Sequence, residues 1–284
     1  VVFMVLFYMI NAAVRFPFMA QMATPATIAI THSVFNITAT LVWLPFSNLL
    51  VKLACLTIRD DEENEVSRED QEFMILESRF LEKPAFAVEQ GRNAAKHMEQ
   101  DSRKILDIAL GLIHSYSDEQ AERVQKLESK IDRYEDELGT YLVKLNNKDL
   151  SERDSHSVSI MLHCIGDFER ISDHAVNIME SAQELHEKNI SFSPQARNEL
   201  QVLIAVVSRI VDTAYQVFDR QDLNLTRDVE PLEEIVDELS KELKRRHVNR
   251  LRLGECTIEM GFILTDLITS LERIADHCSN ISVC

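Results

Sequence analysis

Glycine and proline are scarce in this chain, at six residues each in 284. So few chain-breakers argue against a turn-rich sheet protein and for long helices. Cysteine is sparse too: Cys55, Cys164, Cys256, Cys278 and Cys284 fall at irregular spacings, with no Cys-x-x-Cys. That pattern argues against a zinc ribbon or a disulfide framework, and free thiols fit a reducing compartment. Positive charge is in deficit, with 30 Lys and Arg against 47 Asp and Glu and a net charge of -17. Such a chain is not expected to bind a nucleic-acid backbone. There is no Gly-rich phosphate loop and no nucleophile elbow, so no enzymatic activity is expected. The sharpest absence is local. Residues 1–58 contain no Asp or Glu and are charged only at Arg15 and Lys52, so every acid lies beyond them. Two different solvents are implied for the two parts.

In the acid-free part, Ala26 to Ile58 is apolar apart from scattered Thr, His, Asn and Ser and the single charge of Lys52. A bilayer core needs about 20 such residues, so this run reads as a membrane span. Trp43 suits an interface, and Pro45 allows a kink. Val1 to Val14 reads as the remnant of another span. Polar groups at membrane depth either hydrogen-bond between helices or line a pathway, and His32 and Asn36 are the pathway candidates. Arg59 and the acidic stretch Asp60 to Asp70 follow as a solvated linker. Lys52 and Arg59 favour a cytoplasmic exit. The chain begins inside an apolar run and ends inside a helical pattern, and is read as an internal fragment of a longer protein.

The acidic part, 73–284, predicts six helices. The first covers about 83–115, and the second starts near Asp118. The third opens at Ser151, with Asp154 completing an N-cap pattern, and runs to about Lys188. The fourth starts at Ser193-Pro194, the fifth near Glu230-Pro231, and the sixth after Gly254. The last three repeat the first three. ERISDHAVNI, from Glu169, returns as ERIADHCSNI, from Glu272, at an offset of 103 residues. LESKID, from Leu127, returns as LEEIVD, from Leu232, at an offset of 105. Asp107 in ILDIAL matches Asp212 in IVDTAY. A duplicated three-helix unit follows, with 73–190 as the first copy and 191–284 as the second, one bundle beside the other.

Glu169, Asp173 and Asn177 stand at i, i+4 and i+8, opposite an apolar face that includes Phe168, Ile171 and Ile178. Glu272, Asp276 and Asn280 repeat the stripe. Periodicity alone says solvated face. Three features argue for more. The identities recur, although a solvated face needs only polarity. The second helix of each copy adds its own pair, Glu128 with Asp132 and Glu233 with Asp237. No Lys or Arg shares the angular position of either stripe. These oxygens suit hard or borderline cations on the bundle surface: Mg, Mn or Fe. His174 and His277 lie beside the stripe as neighbours rather than ligands, and Arg170 and Arg273 are expected to pair with nearby carboxylates. The Glu-x-x-His pattern of ferritin-like di-iron sites is missing from the third and sixth helices.

The paired LExxID/LExxVD and ERIxDHxxNI segments resemble the PhoU-like domain, a pair of three-helix bundles associated with phosphate regulation. That resemblance implies multinuclear metal binding by Glu128, Asp132, Glu169, Asp173, Glu233, Asp237, Glu272 and Asp276. The run Thr24 to Phe46 is similar to the last membrane segment of bacterial sodium–phosphate cotransporters, which carry such a domain after the transporter. The combined resemblance implies an all-α protein in the bacterial plasma membrane: transmembrane helices, a linker at 59–72, then a cytoplasmic regulatory tail. The full-length protein would be a sodium-coupled symporter of inorganic phosphate, with Na+ as coupling ion, in contact with lipid and open to self-association. Its Gln-Ser-Ser substrate motifs would lie upstream of Val1. The competing expectation is a PhoU-like metal-binding regulator of phosphate signalling that does not transport.

Overall fold

In the computed structural model, residues 73–220 and 223–283 are described, with Ala12, Thr24, Ile28, His32, Ser33, Asn36 and Thr40 as isolated earlier positions. The expected spans, Ala26 to Ile58 and Val1 to Val14, lie almost wholly outside the described residues, as does the acidic linker. His32 and Asn36 are both described and exposed, and the Asn36 amide meets the imidazole one turn earlier at 3.3 Å. The chain divides into two units, Val1–Arg68 and Glu69–Cys284.

The second unit holds two short 3-10 turns, Met74–Leu76 and Ser78–Glu82, and six α-helices, with no strand among the described residues. The helices are α1 (Pro84–Leu112), α2 (Asp118–Asn146), α3 (Glu152–Glu187), α4 (Pro194–Arg220), α5 (Leu223–Arg252) and α6 (Ile258–Val283). Proline at the first position of α1 and α4 loses no hydrogen bond, because that N–H has no partner inside the helix. Ser151 caps α3 by accepting from the Asp154 N–H at 3.2 Å. Ser193 and Thr257 do the same for Ala196 and Met260 at the starts of α4 and α6. Gly254, at φ +73°, ends α5 in the left-handed region, and the Glu255 N–H reaches back to the Arg250 carbonyl at 3.0 Å.

One expected boundary moves. The sequence places a helix start near Glu230-Pro231, yet α5 begins at Leu223 and runs through it. Proline at this depth has no N–H for the carbonyl of Arg227, so packing sustains the helix against its local preference. The two 3-10 turns were not anticipated. They lie against α1 and bring in Phe73, whose ring is buried 4.5 Å from that of Tyr134 and capped by the Arg133 guanidinium at 4.1 Å.

Helices α1, α2 and α3 pack on one another, as do α4, α5 and α6, and α3 lies along α6. The apolar stripes are therefore two-sided: α3 and α6 each serve a bundle and the seam between bundles. Phe168 of α3 is fully buried and meets Tyr215 and Phe218 of α4 edge-on, at 5.4 and 5.1 Å. Ser102 of α1 donates to the Phe168 carbonyl at 3.1 Å and meets the Tyr215 hydroxyl at 2.9 Å, so this polar pair is buried without loss. Around that core, α1 and α4 exchange charge. Lys96 meets Asp219 at 2.6 Å, and Arg103 reaches both Asp107 and Asp212, the two acids matched by the repeat.

Candidate metal centre

The duplicated stripes come to rest on α3 and α6, facing the partner pairs on α2 and α5. In the second copy three of the expected residues converge. Carboxylate oxygens of Glu233, Asp237 and Asp276 lie within 4.8 Å of one another, all half-buried. Like charges this close raise the free energy of the ionised state. Glu233 accordingly holds its proton above the usual carboxylate range, by burial first and then by Asp237 and Asp276. A divalent cation would relieve that repulsion, and an all-oxygen set suits Mg or Mn, with Fe tolerated.

Glu272 does not join the triad; Lys244 of α5 holds it at 2.8 Å. Lys241 meets Asp237 at 2.9 Å and Arg273 meets Asp276 at 3.0 Å. The Arg273 pairing is the expected one, and Lys244 reaches Glu272 from another helix, outside the angular position of the stripe to which the sequence expectation referred. Lys241 was legible, being one turn from Asp237. Lys244 was not, because its partner sits on another helix 28 residues away.

The first copy is arranged differently. Among the described residues, no three of its acids meet as closely as the second-copy triad. Glu169 and Asp173 interact directly. Burial, and next the Asp173 charge and hydrogen bond, push the Glu169 carboxyl up to about 7, with Glu135 adding to the effect and Arg170 opposing it. Glu128 accepts from the Ser129 hydroxyl at 3.2 Å, and Asp132 is exposed. The first copy lacks counterparts of the two second-copy lysines. The offset that pairs the copies carries Lys241 onto Asp136 and Lys244 onto Gly139.

The two asparagines have different surroundings. The Asn280 amide donates to Asp167 of α3 at 3.2 Å, across the seam between bundles. Asn177 is exposed, and its carbonyl accepts from Ser181. Asp167 is a residue that sequence reasoning missed. It also receives the His277 Nδ1 at 2.9 Å, with both side chains largely buried. His174 and His277 stack at 5.8 Å, so the two histidines mark the approximate dyad between the copies rather than a ligand shell.

Sequence and fold comparisons agree with this duplicated architecture. The PhoU domain model matches residues 95–182 and again residues 200–283, more than half of the chain. A phosphate-specific transport system accessory protein PhoU homolog 1 from Thermotoga maritima is 30% identical over 115 residues, covering 40% of this chain and 49% of the relative. The chain thus spans about half the length of that relative. A PhoU homolog from Deinococcus radiodurans is 24% identical over 195 residues, 67% of this chain and 88% of the relative. The crystal structure of PhoU from Pseudomonas aeruginosa superposes with a TM-score of 0.65 at 24% identity, covering 69% of this chain and 94% of that one. The expected plasma-membrane location is overturned by these likenesses. The relatives are transport-system accessory proteins, and the resemblance runs through helical-bundle residues. Among the described residues one helix, α4, is long and apolar enough to cross a bilayer, and it buries its apolar stripe within the second bundle. The likenesses carry the PhoU part of the expected resemblance and not the cotransporter part. With two matched copies in sequence order and the bundle pair to house them, the chain belongs to the PhoU domain family.

Proposed function

We propose that this chain is a metal-binding regulator of phosphate transport rather than a transporter or an enzyme. The observation that carries the reading is the convergence of Glu233, Asp237 and Asp276 at positions of the duplicated family motif. The role the relatives carry in their names, accessory to a phosphate-specific transport system, supports the regulatory part. In this reading Glu233, Asp237, Asp276 and, once Lys244 withdraws, Glu272 hold a cation in the second copy. Glu128, Asp132, Glu169 and Asp173 do so in the first. The metal supplies positive charge that fixes four helices in one arrangement, a state a partner can read. Sodium-coupled symport rests on residues before 59, outside the family match, and nothing in the matched positions calls for it.

Metal content of the purified whole chain tests the first part. Asp237→Asn with Asp276→Asn should remove at least one equivalent of bound Mn2+, with helicity by circular dichroism unchanged. Equal metal content in the variant would return the stripe to a solvated face. A cell strain lacking the chain tests the second part. Its phosphate uptake should respond abnormally to external phosphate, and the metal-free variant should fail to restore the response. Restoration by that variant would separate regulation from metal.

A further inference from the structure

A cavity of about 320 Å3 opens away from the acidic stripes, between the start of α4, the start of α6 and the end of α5. Two long helices aim their N-termini at it: Ser193 and Ala196 line it from α4, Thr257 and Met260 from α6. A helix N-terminus carries a partial positive charge, and two facing one space add; Ser193 and Thr257 already cap the Ala196 and Met260 N–H groups, so the helices contribute mainly this field. Arg250 also lines the cavity and is buried at 7% exposure. Its Nη1 is paired with Glu199 at 2.8 Å, while its Nη2 is buried without a hydrogen-bond partner. Buried guanidinium nitrogens are ordinarily satisfied, so this one is an unfilled donor.

The charge balance points the same way. Glu199 and Glu242 are shared among Arg245, Arg246 and Arg250, two carboxylates for three guanidiniums. His247, packed against Gly261 where a Cβ would lie 2.5 Å away, turns its Nδ1 toward the Cys256 sulfur at 3.9 Å. Burial, and to a lesser extent Arg250, keep that imidazole below its ordinary range. A Cys–His pair alone would suit a soft metal ion, but a guanidinium and two helix N-termini repel one. Glu255 is the carboxylate that lines the cavity, and it sits on the exposed turn.

We propose that this cavity binds a small oxyanion, a phosphoryl or sulfuryl group, between the first turns of α4 and α6 and against Arg250. The site is separate from the carboxylate stripes and does not need them. Equilibrium dialysis of the whole chain tests it, with chelator present so that metal-held anion does not report. Inorganic phosphate, sulfate and glycerol 3-phosphate are the probes. Saturable binding of at least one is expected, and its identity distinguishes a free anion from a phosphomonoester. Occupancy should slow alkylation of Cys256 by iodoacetamide, read by mass spectrometry. Ser191→Asp adds a carboxylate on the exposed rim and should weaken binding about tenfold. Glu255→Gln removes one and should tighten it. Arg250→Gln should abolish binding, and the two rim variants keep the test decisive if that variant misfolds. No saturable binding of any probe, or identical affinities in both rim variants, overturns the proposal.

Discussion

At the scale of single residues, the groups that matter most are those whose surroundings contradict their chemistry. Glu99 sits half-buried near Asp219, with Lys96 and Arg103 as counterweights, and its carboxyl is pushed up to about 7, by burial first and by Asp219 next. The folded chain therefore keeps a proton that the unfolded chain releases from about pH 4.5 upward. Because the folded state binds more protons in that window, stability falls as pH rises toward 7 and then levels off. Glu99→Gln should flatten this slope in chemical denaturation between pH 4.5 and 7, and should leave the variant more stable than the parent at pH 8. A parallel slope in both would mean Glu99 is solvated. Phe168 is the opposite case, an apolar ring fully buried where α3 meets α4. Phe168→Ala should cost about 3–5 kcal/mol in a urea melt. A loss under about 1 kcal/mol would show that the bundles do not depend on that contact.

Helix ends and helix interiors were unequally legible. The Ser151 and Ser193-Pro194 starts are readable because a cap is a local hydrogen bond, fixed within three residues of sequence. Pro231 misleads by the same logic. It is a start signal locally, and only the packing of α5 against α4 and α6 shows that the helix has already begun. Ser151→Ala should cost about 1 kcal/mol. Pro231→Ala should stabilise by about 1–3 kcal/mol, since it restores an N–H to the helix ladder without touching the core. A destabilised Pro231→Ala would show that the ring itself is packed. The duplicated stripe was visible because identical residues recur in identical phase. The Asp167 link to His277 and Asn280 was not, because it joins positions more than 100 residues apart across a seam that periodicity does not register.

The whole unit is two copies of one design that have drifted apart in charge. Both copies keep the carboxylates of the family motif, but the second adds Lys241 and Lys244 where the first has Asp136 and Gly139. Lys241→Gln with Lys244→Gln should tighten Mn2+ binding to the second copy about tenfold by calorimetry, since each lysine must leave before a cation enters. Unchanged affinity would mean the lysines are not seated on the carboxylates in solution.

These two lysines have a consequence for how the molecule would respond to its surroundings. A side chain tethered beside its carboxylate is a competitor present at constant effective concentration, one that no dialysis removes and no dilution weakens. In the proposed reading external cation would therefore have to exceed a threshold set by the protein itself before the second copy fills. In the first copy the occupant to be displaced is a proton, whose supply follows the pH of the medium. In the proposed reading one fold thus carries two cation sites with different thresholds: both compete with a proton, on Glu169 in the first copy and on Glu233 in the second, and the second competes with tethered lysines as well.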